Sequence, residues 1–419
     1  MTKIIIILSA LAFLAACTAT ITPEEIIFDE PTDEPYVITI PPHDDHIITL
    51  EVDPYQGSVQ GLSRINITNR SDSPMAAVIL RTHFTDLAVD YISVNNEVVD
   101  YQREGERLIL PTEIAPGETV HVRVQYRYET DQLWFGAFLP VIYNQGFLET
   151  ANYQVSITAP VGYTIVGTGH KAEELGYLED SLTTHFTAHM VRDFAFGVLP
   201  DHYRYKSVET ASGIEIKLYY SDQVLFTEND PYTVLATATA IVKHFENRVG
   251  VYPFGQITII EVDMGQSYQA FPQVIFLESR YMRRSNLESL VSAIGQQWFG
   301  QVVGIAGDTT LCHSLIYFLQ AGLTYDTSEL FALHMAELYD FVFVRNHFSQ
   351  ANMARIPLYQ DVLMLYRLEA RMGEEMFWAF INQYYQKYSF QTVMACENFI
   401  NMAIEVYGEG LGEFFEAYR

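Results

Sequence analysis

The sequence predicts an α+β protein, with an N-terminal antiparallel β domain followed by a mainly helical domain. Three observations carry that prediction. Short runs alternating apolar and polar residues, separated by turn residues, occupy residues 36–205. After Ser207 the texture changes, and from residue 231 apolar side chains recur at helical spacing. A chain of 419 residues with 49% hydrophobic content can also bury two ordinary cores.

Residues 1–16 read as a signal peptide. Lys3 supplies the positive start, and residues 4–15 form an apolar stretch that is short for a transmembrane span. Leu14, Ala15, Ala16 and Cys17 match the bacterial lipobox, in which the cysteine thiol is acylated and becomes the new N-terminus. Cys17 is therefore the expected membrane anchor, and the mature chain is expected on the outer side of a bacterial cytoplasmic membrane. In a Gram-negative cell the outer membrane is expected, because Thr18 and not an aspartate follows the cysteine. Residues 17–35 comprise the lipidated cysteine and an acidic, aperiodic tether. Cys312 and Cys396 remain as thiols; export permits a disulfide, but their spacing does not decide one. A formal charge of −28 argues against nucleic acid and against direct docking on anionic headgroups.

Residues 36–206 form the predicted β domain. Residues 47–52, 63–68, 119–126 and 153–158 alternate with period two, and Asn95-Asn96, Pro116-Gly117 and residues 160–162 supply turns. His185 and His189 share one face of a strand without a third ligand, and His43 and His46 flank Asp44 and Asp45 in an expected loop. Residues 207–419 form the second domain. A strand over residues 213–220 precedes a helix over residues 231–248, with an apolar stripe of Val234, Leu235, Ile241, Val242, Phe245 and Val249. A turn over residues 251–255 leads into a strand at residues 257–262, and helices fill residues 286–419. Gly304 and Gly307 do not form a phosphate loop, since no Gly-Lys-Ser/Thr follows.

Within the second domain, residues 290–300 read LVSAIGQQWFG. They resemble the HExxHQWFG helix of the aminopeptidase N family, a branch of the gluzincin zinc metallopeptidases. In that motif two histidines at i and i+4 bind zinc, and the glutamate beside the first is the general base. The resemblance puts Ser292 and Gln296 at the histidine positions and Ala293 at the base. Residues 268–277 resemble the family's GGMEYPGLVFL strand, with Ala270 where a glutamate holds the substrate amine. Residues 318–325 resemble WLNEGFATY, with Ala321 at the third zinc ligand, although the interval from Gln296 is longer than the family's usual one. Residues 356–363 resemble the PYxKG turn, with Leu358 at the transition-state tyrosine and Tyr359 beside it. Residues 114–120, 151–163 and 191–197 resemble parts of the family's N-terminal β saddle, so the likeness runs over residues 36–419.

The resemblance implies a saddle-like β domain packed on a thermolysin-like domain. Tyr268, Gln269, Gln297, Tyr325 and Tyr359 are expected to line the groove between them. The substitutions imply that the chemistry is gone. A serine hydroxyl is not ionised near neutrality, a carboxamide is a weak neutral donor, and Ala293 cannot move a proton. Bound zinc and catalysis are predicted absent, and the expected role is binding a peptide or a protein partner. Two other readings stay open: a peptidase whose metal site has moved near Cys312 and His313, and a purely structural envelope lipoprotein.

Overall fold

The computed structural model describes residues 43–129, 135–144, 147–172, 177–178, 180–223, 230–283, 288–307, 309–324, 356–408 and 410–416. Cys17, its tether and Tyr325 lie outside the described residues, as do the side chains of Ala321 and Tyr359.

The period-two pattern becomes a large sheet with one wet and one dry face. Strand Asp44–Asp53 buries every second residue, sending Ile48, Leu50 and Val52 into the core while Ile47 stays exposed. This strand lies inside a nine-stranded sheet, antiparallel to Ser58–Thr68 on one side and parallel to Ala151–Pro160 on the other. The parallel pair departs from the all-antiparallel expectation, and connectivity explains it. After Thr119–Glu129 the chain leaves this sheet for strands Phe135–Gly136, Val141–Asn144 and Phe147–Leu148 of two smaller sheets. It then re-enters beside its first strand, running the same way; a parallel pair requires such a crossover. His46 also departs from the loop expectation. It sits in strand Asp44–Asp53, buried and stacked on Tyr153 with ring centroids 4.5 Å apart. His185 and His189 do share a face, where Ser156 and Asn152 meet their ring nitrogens at 2.7 and 3.3 Å.

The second domain is built on a five-stranded sheet in the order Tyr203–Glu209, Glu215–Ser221, Gln256–Val262, Val274–Glu278, Tyr268–Phe271. The expected boundary at residues 206/207 falls inside its first strand, which pairs with Glu215–Ser221 over its whole length. The central strand Gln256–Val262 has parallel neighbours on both sides and is buried from Ile257 onward, as a parallel sheet covered on both faces requires. Tyr268–Phe271 is an edge strand, antiparallel to Val274–Glu278.

Helices cover this sheet. Helix α1 (Pro231–Arg248) starts where Asp230 accepts from the Thr233 amide at 2.7 Å and Pro231 opens the first turn. Its stripe of Val234, Leu235, Ala238, Ile241, Val242 and Phe245 is buried. Helices α2 (Ser279–Met282), α3 (Glu288–Trp298), α4 (Thr310–Thr324), α5 (Ile356–Met372), α6 (Glu374–Tyr388), α7 (Ala395–Tyr407) and α8 (Gly410–Glu416) follow. They share one hydrophobic core with the sheet. Among the described residues no helix is long and apolar enough to cross a membrane.

Arg192 fastens the two domains together. Its guanidinium donates to the Leu148 carbonyl in the first domain and to the carbonyls of Gln301, Val302 and Gln391 and the Thr392 hydroxyl in the second. Burial lowers its pKa to about 10. A Cβ on Gly304 would collide with this guanidinium, so the close approach there requires glycine.

Candidate functional site

Helix α3 carries Ser292 and Gln296 on the side facing the edge strand. Ser292 and Gln296, four residues apart, lie on one face and are half-buried. Ala293 is fully buried. The Tyr268 hydroxyl, from the edge strand, reaches into the space between Ser292 and Gln296 and hydrogen-bonds both. Gln296 Nε2 donates to it at 3.0 Å and lies 3.2 Å from Nε2 of His313 on α4. Burial raises the pKa of the Tyr268 phenol, so it stays protonated at neutral pH. In the motif GGMEYPGLVFL, aligned with Ala270 at the glutamate, Tyr268 stands at a glycine. A ring has been added at the place where the two ligand positions converge.

His313 is the α4 residue that meets Gln296. Ala321 lies eight residues further along the same helix, about 12 Å along its axis. Cys312 takes no part here. Its thiol donates to the Phe299 carbonyl at 3.0 Å, and burial pushes its pKa up to about 12. Adjacent residues on a helix point about 100° apart, which separates Cys312 from His313. Neither Cys312 nor Cys396 is in a disulfide among the described residues.

Gln297 corrects one expectation of the sequence. It does not line the groove: its side chain is completely buried. Its carbonyl oxygen accepts from the Tyr252 hydroxyl at 3.0 Å and the Gln273 amide at 2.9 Å, and its Nε2 donates to the Phe271 carbonyl at 3.0 Å. These bonds tie α3 to the turn of the edge hairpin, where Gln273 holds φ 63 at another motif glycine. Trp298 completes the clamp. Its indole donates to the Gly250 carbonyl at 2.8 Å and packs on Phe245 and Tyr252.

The remaining positions bring no ionisable group. Ala270 is half-buried, and its carbonyl accepts from Gln301 Nε2 at 2.9 Å. Gln269 lines a cavity between the domains. Leu358, in the first turn of α5, packs against the core, and its carbonyl accepts from the Ser314 hydroxyl at 3.3 Å.

The residues that converge here do not fit zinc. Ser292, Gln296, His313 and Tyr268 offer one imidazole, a neutral amide, a hydroxyl and a protonated phenol, where zinc takes thiolate, imidazole and carboxylate. Among the described residues no group of three or more His, Cys, Asp or Glu side chains is arranged to hold a metal ion.

No family model matches the sequence, and no curated protein matches it. In structure the chain is similar to the M1 zinc metallopeptidase of Deinococcus radiodurans, with a TM-score of 0.71 at 14% identity, over 89% of this chain and 93% of that one. A point mutant of that enzyme bound to a Tyr-Ser-Ala substrate is similar at a TM-score of 0.70 and 15% identity, over the same shares of each chain. A mutant two-domain M1 zinc metallopeptidase bound to L-tryptophan gives 0.71 and 15%, again over 89% and 93%. At such identities the likeness is one of fold alone: the chain has the two-domain fold seen in M1 zinc metallopeptidases.

Proposed function

We propose that this chain is a non-catalytic counterpart of the zinc aminopeptidases, held outside the cytoplasm by lipid on Cys17, whose groove binds a peptide or an extended segment of a partner protein. The observation that carries the reading is the pairing of an edge strand with a dead centre. Tyr268–Phe271 ends its sheet, and an edge strand can add an extended peptide through main-chain hydrogen bonds. Beside it, Tyr268, Ser292 and Gln296 satisfy one another where metal chemistry would require ionisable ligands. The reading of a relocated metal near Cys312 and His313 loses its thiolate, since the Cys312 thiol faces the Phe299 carbonyl.

Two measurements test it on residues 18–419. Elemental analysis after gel filtration is expected to find no stoichiometric zinc; about one zinc per chain would overturn the non-catalytic reading. Incubation with a mixed peptide library is expected to enrich a defined set of peptides and leave them uncleaved. Enrichment of none would favour a structural envelope protein. For the anchor, Cys17→Ser is expected to yield an unprocessed precursor without lipid label, and normal acylation of that variant would refute the assignment.

A further inference from the structure

The wet face of the nine-stranded sheet carries two cations that its own strands leave without a counter-charge. Arg64 and Arg123 stand directly opposite one another on strands Ser58–Thr68 and Thr119–Glu129, and both are exposed. The Asn69 amide donates to the Glu118 carbonyl at 2.9 Å, which sets the hydrogen-bonded pairs of this ladder at 69/118 and at every second pair from it. The His121 carbonyl accordingly turns the other way and accepts from the Asn95 amide at 2.8 Å. Arg64 and Arg123 therefore belong to the non-hydrogen-bonded pairs, whose side chains stand closer. In that class Asn66 meets His121 and Thr68 meets Thr119, each at 2.8 Å. Like charges at such spacing repel.

The other arginines of this domain show the contrast. Arg70, Arg81 and Arg127 pair with Asp44, Glu106 and Asp90. Arg64 and Arg123 make no ion pair or hydrogen bond among the described residues. The acids of the adjoining strand, Asp45 and Glu51, lie two residues before and four after Ile47, which is the residue opposite Arg64. Asp45 is also engaged, accepting from Asn152 at 3.1 Å. Ile47 itself is 42% exposed, so one row of the sheet presents an apolar side chain beside two guanidinium groups.

The complement lies in the same chain. Residues 24–30 read EEIIFDE, an apolar triplet between two acid pairs, and residues 18–42 contain no lysine or arginine. A solvated linker has no use for such a triplet. The described structure begins at His43 and enters strand Asp44–Asp53 four residues before Ile47. Residues 31–43 can span about 40 Å when extended, and Asp45 and Ile47 are only about 7 Å apart along the strand. A covalently joined segment also meets its site at millimolar effective concentration, so weak contacts suffice. A separate acidic partner would first meet the repulsion of a chain with formal charge −28.

We propose that residues 24–30 dock on this face, with their acids on Arg64 and Arg123 and their apolar side chains over Ile47. Only residues 18–23 then separate the docked segment from Cys17. On the reading that Cys17 is lipidated, docking holds this sheet face within about 25 Å of the membrane.

The test uses residues 18–419 with benzoylphenylalanine in place of Phe28. The dilute protein is irradiated, and crosslinks are mapped by mass spectrometry. Crosslinks within one chain to residues 45–51, 60–68 or 119–127 are expected. Arg64→Gln and Arg123→Gln together should lower their yield about fivefold, the worth of two exposed ion pairs. Salt at about 0.5 M should do the same to the parent. Both arginines are exposed, so the double variant should melt near the parent temperature. An unchanged yield in the folded double variant overturns the proposal. So do crosslinks chiefly to other faces, or crosslinks that join two chains. Cys17 is absent from this protein, so the outcome is independent of the anchor, and no peptide ligand is used, so it is independent of the groove.

Discussion

Two neighbouring glutamines on α3 have opposite situations. Gln296 faces the groove, half-buried, and its amide meets a phenol and an imidazole at 3.0 and 3.2 Å. Gln297 faces the core, fully buried, and its amide joins three elements through three hydrogen bonds. The core-facing glutamine matches the quoted motif, and the groove-facing one replaces a motif histidine. The difference teaches that one helix can present a clamp to the core and a separate set of side chains to the groove, because the two use different faces. Loss of the clamp would leave buried polar groups without partners.

The largest effect that can break this comparison is on stability. Gln297→Leu should destabilise the protein by about 3–5 kcal/mol, because it strands the Phe271 carbonyl, the Gln273 amide and the Tyr252 hydroxyl in the core. Ser292→Ala and Gln296→Ala, on the other face, should each stay within about 1 kcal/mol. Chemical denaturation of the three variants checks this. Equal losses at residues 296 and 297 would mean that the groove face is also structural, and the two-face account would fail.

A buried polar residue without partners sharpens the contrast. His46 stacks on Tyr153, and neither ring nitrogen has a hydrogen-bond partner among the described residues. Burial lowers its pKa to about 3. The unfolded chain protonates this residue below about 6.5, whereas the folded chain holds it neutral far lower. Between those values the unfolded state binds more protons, so the contribution is intact above pH 6.5 and is lost as pH falls towards 3. From pH 7 to pH 5 the wild type should lose about 2 kcal/mol that a His46→Phe variant keeps. Parallel acid profiles for the two proteins would show that His46 is not the source.

How far sequence alone could read this molecule depends on how local each signal is. Strand alternation at residues 47–52, the cap at Asp230 and the stripe of α1 are local, and the structure forms them as expected. The parallel partner of strand Asp44–Asp53 is not local, because it depends on a long crossover through two other sheets. The motif helix was legible because a run from Gln297 to Gly300 keeps the clamp. The register at Ala321 rests on a weaker pattern in α4, eight residues along from the His313 that meets Gln296. One signal was available: helical phase separates Cys312 from His313 and sends only one of them to the groove.

The smallest expected effect tests the register on which the site description depends. If His313 occupies the third corner, then Ser292→His and Gln296→His, with Tyr268→Ala clearing the hydroxyl from between them, should create three imidazoles around one point. Three nitrogen ligands and a water make a tetrahedral zinc site. Ala293 is best left unchanged, since a glutamate placed at that fully buried position would carry an unpaired charge. Zinc binds the folded state only where the three ligands converge, so it should stabilise the triple variant by about 1.4 kcal/mol at ten times its dissociation constant. A thermal melt with and without zinc reads this, and the parent chain should show no such shift. Adding His313→Ala to the triple variant should abolish the gain. Adding Ala321→Glu in its place should not restore it, because that residue sits about 12 Å further along α4. If instead the glutamate rescues zinc binding after His313 is removed, the third corner belongs to Ala321, and the phenol–amide–imidazole contact around Gln296 is not the remnant of the metal site.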